Sequence, residues 1–348
     1  MWAERTSFAA GAIANGSESP NARLLWFRRL SLLGAVLAAV AVVLGAWVRL
    51  TNAGLGCPDW PGCYGHLYPS GAQTGKAWHE MVHRYVAGTL VVAIALLLAW
   101  AVLRRRDRGQ PLVPVALLFG VVCFQAALGA LTVTLLLKPL IVTAHLFGGL
   151  TTLGLLGWLA IAPERRALPA AERRLRKFVT AAFVVLVLQI FLGGWTSSNY
   201  AAIACPDFPT CQRSWWPPMD FRNAFVLWRG IGVDYEGGVL ANPARMAIHV
   251  THRLGAAVTG LALISVGLLA ARAQSRRLRR AGLLLIVAVV LQISIGIATV
   301  RFGIPLPAAT LHNAGAAALT LAMVWLMRAL WPEPPAPVVP FDHGDRTR

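Results

Sequence analysis

Eight stretches of this chain are long and apolar enough to cross a bilayer as helix, and nothing else in the sequence constrains the fold as tightly. They begin near Leu30, Tyr85, Leu112, Leu140, Phe178, Ala247, Ala281 and Ala309. Each reaches the roughly 18 to 20 residues that a hydrocarbon core demands. With 57% apolar and only 13% charged residues and a mean hydropathy of +0.61, a water-soluble globule of 348 residues is excluded. An all-α integral membrane protein with eight transmembrane helices is expected.

A net charge of +18 would suit nucleic acid, but its placement points to a membrane instead. The basic runs "RLLWFRRL", "RRRDR", "ERRLRK" and "SRRLRR" fall in alternate loops, and about 22 of the 32 Lys and Arg lie on that side. The positive-inside rule makes it cytoplasmic and puts both termini inside. No A-x-A-like cleavage site follows the first apolar run, which predicts a retained helix. Residues 1–24 are expected to be flexible, and the Pro-rich end, 331–348, to be a disordered tail.

The chain also repeats itself. "GCPDWPGC" returns as "ACPDFPTC", "VHRYVAGTL" as "THRLGAAVTG", "QAALGALTV" as "QISIGIATV", and "TAHLFGGL" as "TLHNAGAA". His83 and His252 are 169 positions apart, and His145 and His312 are 167 apart. The eight helices should therefore form two pseudo-symmetric four-helix bundles, 25–165 and 166–330. Each bundle has one histidine at the start of its second helix and another near the start of its fourth. Paired imidazoles at one depth in a helix bundle are the usual means of gripping a haem iron from both faces. A lone interfacial histidine is more often a structural residue, but four of the eight histidines at repeat-related positions are not explained that way. His66, His79 and His343 have no repeat partner and keep the structural reading.

His79-Glu80-Met81-Val82-His83 matches H-E-x-x-H, the zinc-protease helix. Its repeat counterpart, Ile248-His249-Val250-Thr251-His252-Arg253, keeps only the final His-Arg. The zinc protease is accordingly a minor alternative.

These residues resemble the haem A synthase family, membrane enzymes that convert haem O to haem A for the terminal cytochrome oxidase. The resemblance covers about Leu25 to Leu330. It rests on the paired C-P-D-[WF]-P-x-C loops, E-x-x-H-R at Glu80 to Arg84, the repeat histidines, and "GAWVRLTNAGLGC" at the exit of the first helix. It implies that the first half holds substrate haem between His83 and His145 with Glu80 beside it, and that the second half holds a cofactor haem b between His252 and His312. The reaction implied is oxidation of one ring methyl to a formyl group, by two hydroxylations and loss of water from a gem-diol, with haem b as electron relay. Glu80 and His83 share a helical face, and a carboxylate at a membrane edge is costly unless used. Glu80 would handle protons or position water; its plain reading is a first-turn residue favoured by the helix dipole.

The paired cysteines, Cys57 with Cys63 and Cys205 with Cys211, fall on the oxidising side, where thiols usually pair. Each short Pro-stiffened loop suits a local disulfide, as staple or, for the first pair, as redox centre by resemblance; four thiols could instead bind zinc. Cys123 reads as a small apolar residue. Arg49, Arg84 and Arg253 could hold haem propionates or snorkel to lipid phosphate. Gln125, Gln189 and Gln292, in the third, fifth and seventh runs, should bond between helices. The aromatic loop Tyr200 to Pro243 is expected to lie on the membrane or cover a haem.

The partners implied are haem O, a haem O synthase as its donor and the lipid bilayer, without nucleic acid; a homo-oligomer is allowed for. A bacterial plasma membrane is favoured over a mitochondrial inner membrane. The rivals from other classes are a dihaem electron carrier of the cytochrome b type and a haem or quinol transporter.

Overall fold

Where no water reaches the backbone, each peptide group must find its partner within its own helix, and the apolar runs fold accordingly. The computed structural model describes residues 20–69, 74–106, 111–164 and 166–332. Its long helices are α1 (Pro20–Leu50), α2 (Thr74–Leu103), α3 (Leu112–Thr134), α4 (Pro139–Ala160), α5 (Ala170–Ser198), α7 (Asn242–Ala271), α8 (Arg276–Arg301) and α9 (Leu306–Leu330). Between α5 and α7 lie a 3-10 turn, Ala201–Ala204, and the single-turn α6, Phe221–Ala224. No strand is found among the described residues. Eight helices are long and apolar enough to cross a membrane, so the chain is a multi-pass membrane protein. His343 and most of the segments expected to be disordered fall outside the described residues.

Several helices start well before the apolar runs do. α2 opens at Thr74 rather than near Tyr85, and α7 at Asn242 rather than near Ala247. The polar stretch "GKAWHEMVHR" hid the first turns from hydropathy, because one face of those turns packs against protein instead of lipid. His83 and His252 therefore sit more than two turns inside their helices, and Glu80 is past the first turn.

The helices pack in two groups. α1 and α3 each contact α2 and α4; α5 and α8 each contact α7 and α9. Each group has its own apolar core, one around Ile94, Leu118 and Leu153, the other around Leu263, Leu285 and Met323. The groups meet where α1 and α4 touch α9, and α4 touches α5. Small residues allow that approach: a Cβ at Gly157 would lie 2.7 Å from Leu321 Cδ2. The large exposed apolar side chains, among them Leu32, Leu96, Leu117, Leu261 and Leu291, suit lipid contact.

The duplication extends to the turns. Backbone φ is positive at Asn52 and Tyr200, at Tyr64 and Gln212, at Leu136 and Gly303, and at Leu137 and Ile304. A positive φ at a β-branched residue such as Ile304 is unfavourable. The turn holds it with a bond from Ile304 N–H to Thr299 O of 2.7 Å, as Leu137 N–H bonds Thr132 O at 2.8 Å. Both turns join a glycine-bearing helix to a histidine-bearing one.

Candidate functional site

Each of the four repeat histidines is seated on a glycine of the preceding long helix. A Cβ at Gly45 of α1 would lie 3.1 Å from His83 Cε1; at Gly129 of α3, 3.1 Å from His145; at Gly193 of α5, 3.3 Å from His252; at Gly296 of α8, 2.9 Å from His312. Hydrogen at these positions lets the imidazole lie flat on the neighbouring backbone. For three of them a glutamine four residues before that glycine bonds the histidine's own backbone. Gln125 Nε2 donates to His145 O at 2.5 Å, Gln189 Nε2 to His252 O at 3.0 Å, and Gln292 Nε2 to His312 O at 3.0 Å. The interhelical bonding expected of these glutamines is thus present. Such bonds in a bilayer contribute about 0.6 kcal/mol on average and up to about 1.7.

The unit that repeats is therefore a helix pair occurring four times, not only a four-helix half occurring twice. "QAALG", "QIFLG" and "QISIG" mark it in the sequence, with "AVVLG" in α1 as the variant form. Aligning helix pairs rather than halves would have found it.

His83 and His145 face each other across a cavity of about 770 Å³ whose wall also includes Gly45, Arg49, Trp60, Glu80 and Gly129. Their ring centroids are 6.4 Å apart at an interplanar angle of 82°. An iron between two imidazoles needs two bonds of about 2 Å and two ring half-widths of about 1 Å, or roughly 6 Å in all. The Nδ1 atoms of His83, His145 and His312 are buried without a partner. Cavity size, spacing and unpaired ring nitrogens all fit a metalloporphyrin; pockets for such ligands run to about 300–1,000 Å³. His252 and His312 occupy the corresponding seats in the second group and lie within electrostatic reach of each other.

Glu80 is buried beside the cavity and fully engaged. Its Oε1 pairs with Arg84 Nη2 at 2.5 Å and its Oε2 accepts from Cys57 N–H at 2.9 Å. Gly56 permits this: any Cβ there would lie 2.7 Å from the carbonyl carbon of Lys76, so only glycine lets the loop settle onto α2. The repeat counterparts are His249, buried with Nδ1 unpaired, and Ala204. The two histidines of H-E-x-x-H part company, His83 lining the cavity while His79 is exposed with its ring edge-on to Trp47 at 6.2 Å. Among the described residues no three metal-ligating side chains gather for zinc.

Both cysteine pairs are disulfides, Cys57–Cys63 and Cys205–Cys211, while Cys123 is free and exposed on α3. The loops they close are held by the arginine that follows each α2 or α7 histidine. Arg84 donates to Asp59 O at 2.9 Å and to the carbonyls of Pro61 and Gly62; Arg253 donates to Cys205 O at 3.0 Å, Asp207 O at 2.8 Å and Thr210 O at 2.8 Å. The terminal nitrogens of both guanidinium groups thus meet loop carbonyls, while the Arg253 Nε is unpaired. Of the three arginines considered for propionates, Arg49 and Arg253 each keep a buried, unpaired Nε, and of these two Arg49 is the one in the cavity wall: it donates to Ser197 O at 2.8 Å and lies over the Tyr200 ring at 3.8 Å.

Inside each loop an aspartate organises the tip. Asp59 accepts from Tyr64 N–H at 2.6 Å and Gly65 N–H at 2.8 Å, Asp207 from Gln212 N–H at 2.7 Å and Arg213 N–H at 3.0 Å. The Gly65 amide, more than any other group, holds the Asp59 carboxyl below its usual range. The long second loop crosses to the first group. The buried Lys138, at the start of α4, donates to Gly230 O at 3.0 Å and lies 3.6 Å from the Trp228 ring centre, and Tyr235 N–H bonds Leu136 O at 3.1 Å. Trp215 and Trp216 remain exposed.

The sequence profile of the COX15-CtaA family, cytochrome oxidase assembly proteins, matches residues 28–324. A Heme A synthase of Shewanella oneidensis is 39% identical over 329 residues, covering 89% of this chain and 97% of that protein. A Heme A synthase of Halalkalibacterium halodurans is 30% identical over 200 residues, covering 55% and 65%. One of Methylobacterium radiotolerans is 28% identical over 335 residues, covering 83% and 86%.

Proposed function

The chain belongs to the COX15-CtaA family of cytochrome oxidase assembly proteins, and from that premise we propose that it is a haem A synthase. The observation that carries the reading is the cavity of about 770 Å³ with His83 and His145 opposed across it and Glu80 in its wall. On this reading haem O is the substrate, and one of its ring methyls is oxidised to a formyl group by two successive hydroxylations and loss of water from the gem-diol. His83 and His145 hold the substrate iron from either face, with Gly45 and Gly129 fixing the planes of the two rings. The apolar wall supplied by α1, α2 and α3 excludes bulk water from the methyl being oxidised. Arg49, with its free Nε, is suited to a propionate. Glu80 would take up and release protons at its carboxylate oxygens, which are positioned by the bonds they accept from Arg84 and the Cys57 amide.

His252 and His312 would hold a haem b, which supplies one-electron relay chemistry. The first half would then be the substrate half, 25–165, and the second the cofactor half, 166–330. We further propose a bacterial plasma membrane, both termini and the Arg104–Arg106 turn inside, and a haem O synthase as donor. A reporter fused at that turn should behave as cytoplasmic.

A dihaem electron carrier is the second reading, favoured by the near-identical seats of all four histidines. Extraction and chromatography of the haems from purified protein separates the two. Haem b accompanied by haem O, haem A or a partly oxidised intermediate supports the enzyme; haem b alone in both sites would make the chain a carrier.

A further inference from the structure

We propose that His83 is the ligand built to release the substrate iron, and that Ala41 and Val86 are the residues that free it. The inference rests on the two-histidine reading of the first cavity given above.

Three of the four histidines sit in the same three-part socket. A glycine lies under the ring, a glutamine one turn earlier bonds the histidine's carbonyl, and a second glycine three residues after the histidine makes room for that glutamine. The second glycine is obligatory. A Cβ at Gly148 would lie 1.9 Å from Gln125 Oε1, at Gly255 2.3 Å from Gln189 Oε1, and at Gly315 2.1 Å from Gln292 Oε1. The glutamine therefore cannot be kept without the glycine.

The His83 socket has lost both members of that pair. Four residues before Gly45, where α5 has Gln189, α1 has Ala41; three residues after His83, where α7 has Gly255, α2 has Val86. The glycine under the ring is retained, with Gly45 at 3.1 Å from His83 Cε1 in the sense given above. The ring still has its seat, but the backbone behind it has no tether to the neighbouring helix. The polar side chains flanking His83 on α2, Glu80 and Arg84, bond the Cys57–Cys63 loop rather than α1. His83 is thus held to α1 through its ring, which bonds the Ala41 carbonyl, and not also through its backbone, as the other three histidines are held to their neighbours. With a haem bound, His83 would be the imidazole able to withdraw, keeping its electron pair so that no oxidation state changes, while His145, tethered by Gln125, would hold the porphyrin; the side His83 would leave faces the cavity. In the second group both histidines are tethered, which suits a relay that keeps both ligands.

The test uses carbon monoxide on the reduced, purified holoenzyme carrying both haems, followed by rapid-mixing absorption spectroscopy. In the unaltered protein the substrate haem should bind carbon monoxide and the second haem should not. Ala41→Gln combined with Val86→Gly installs the missing tether and should slow binding at the substrate haem by about three- to eighteenfold, the span that one interhelical bond of this kind allows. Unchanged kinetics in a double variant that retains both haems would overturn the proposal. Should that variant fail to assemble, Gln189→Ala decides alone: loss of the tether should make the second haem reactive to carbon monoxide, and continued inertness would overturn the proposal. His83→Ala distinguishes failure of the underlying reading. If the substrate haem keeps its six-coordinate spectrum without His83, the histidine is not a ligand, and the two-histidine site itself is wrong.

Discussion

The first and second four-helix groups share their helices, their disulfide loops, their arginine clamps and their glycine seats, yet they differ at two linked sets of positions. Glu80 with Gly56 stands against His249 with Ala204, and Ala41 with Val86 against Gln189 with Gly255. In each set one change requires the other. Glu80 can bond the Cys57 amide because Gly56 lets the loop approach, and Val86 is permitted because Ala41 places no amide above it. Scattered single changes also separate the halves, as between "QAALGALTV" and "QISIGIATV", but these changes are linked. Paired changes gathered around one histidine, His83, mark the half in which something besides holding a haem is required.

The largest effects should come from the histidines themselves. His252→Ala or His312→Ala should empty the second site, because an imidazole lost from a two-histidine iron has no substitute nearby. His83→Ala or His145→Ala should weaken substrate binding while the second haem's spectrum persists, and Glu80→Ala should leave both haems bound but stall oxidation. Absorption spectra and extracted haem profiles report all of these. If His83 and His252 variants lose the same haem, the two halves do not have separate tasks.

Next in size is the contrast between the two clamps. Arg84→Ala removes the loop's anchor and also leaves the buried Glu80 without its cation; Arg253→Ala strands only neutral carbonyls. Breaking a buried ion pair from one side costs about 3–5 kcal/mol, whereas unsatisfied neutral groups cost about 1–3 kcal/mol. Thermal unfolding in detergent should therefore show the greater loss for Arg84→Ala. Equal losses would mean that Glu80 draws little from Arg84.

The glycine seats offer a finer gradation. Alanine at Gly296 would come closest to its histidine and alanine at Gly193 would have the most room, 2.9 Å against 3.3 Å. Overpacking of this kind costs about 1–3 kcal/mol, so Gly296→Ala should tilt His312 and shift the haem spectrum more than Gly193→Ala does at His252.

Much of this was legible in the sequence, and what was not has physical causes. Eight apolar runs gave eight helices because lipid leaves the backbone no other solution, and the duplication singled out His83, His145, His252 and His312. Hydropathy misjudged where α2 and α7 begin, since Trp78 to Arg84 mixes polar residues into turns that pack on protein. The arginines could not be read from sequence at all. Position at a helix end suggested propionates, but the loops fold back so that Arg84 and Arg253 meet the carbonyls of residues more than 20 positions away. The tethering glutamines were recognisable as interhelical, yet their shared target, a histidine carbonyl, belongs to the helix pair rather than to the four-helix half and leaves no mark in the comparison of halves.

The smallest effect concerns acid, and here the halves should agree. The Asp59 carboxyl is held below its ordinary value, chiefly by the Gly65 amide, then against some opposing burial by the Tyr64 amide. Asp207 is likewise lowered: its slight burial pushes the other way but is outweighed by the Thr210 hydroxyl and the Arg213 and Gln212 amides. A carboxyl whose folded value is depressed contributes its full stabilisation above the ordinary value of about 3.9. That contribution is lost as pH falls through the lowered folded value. Both aspartates are only partly buried and lie in the loops, so the change should be confined to the loop tips. Amide hydrogen exchange at Tyr64 and Gly65, and at Gln212 and Arg213, should quicken by a few-fold in the same acid range, with the helices unaffected. Asp59→Asn should flatten that acid step in the first loop and leave it in the second. Two loops that opened at clearly different pH values would show that the aspartate turn, the most faithfully copied part of the duplication, is not energetically the same in both halves, and that Glu80 below the first loop changes more than its own surroundings.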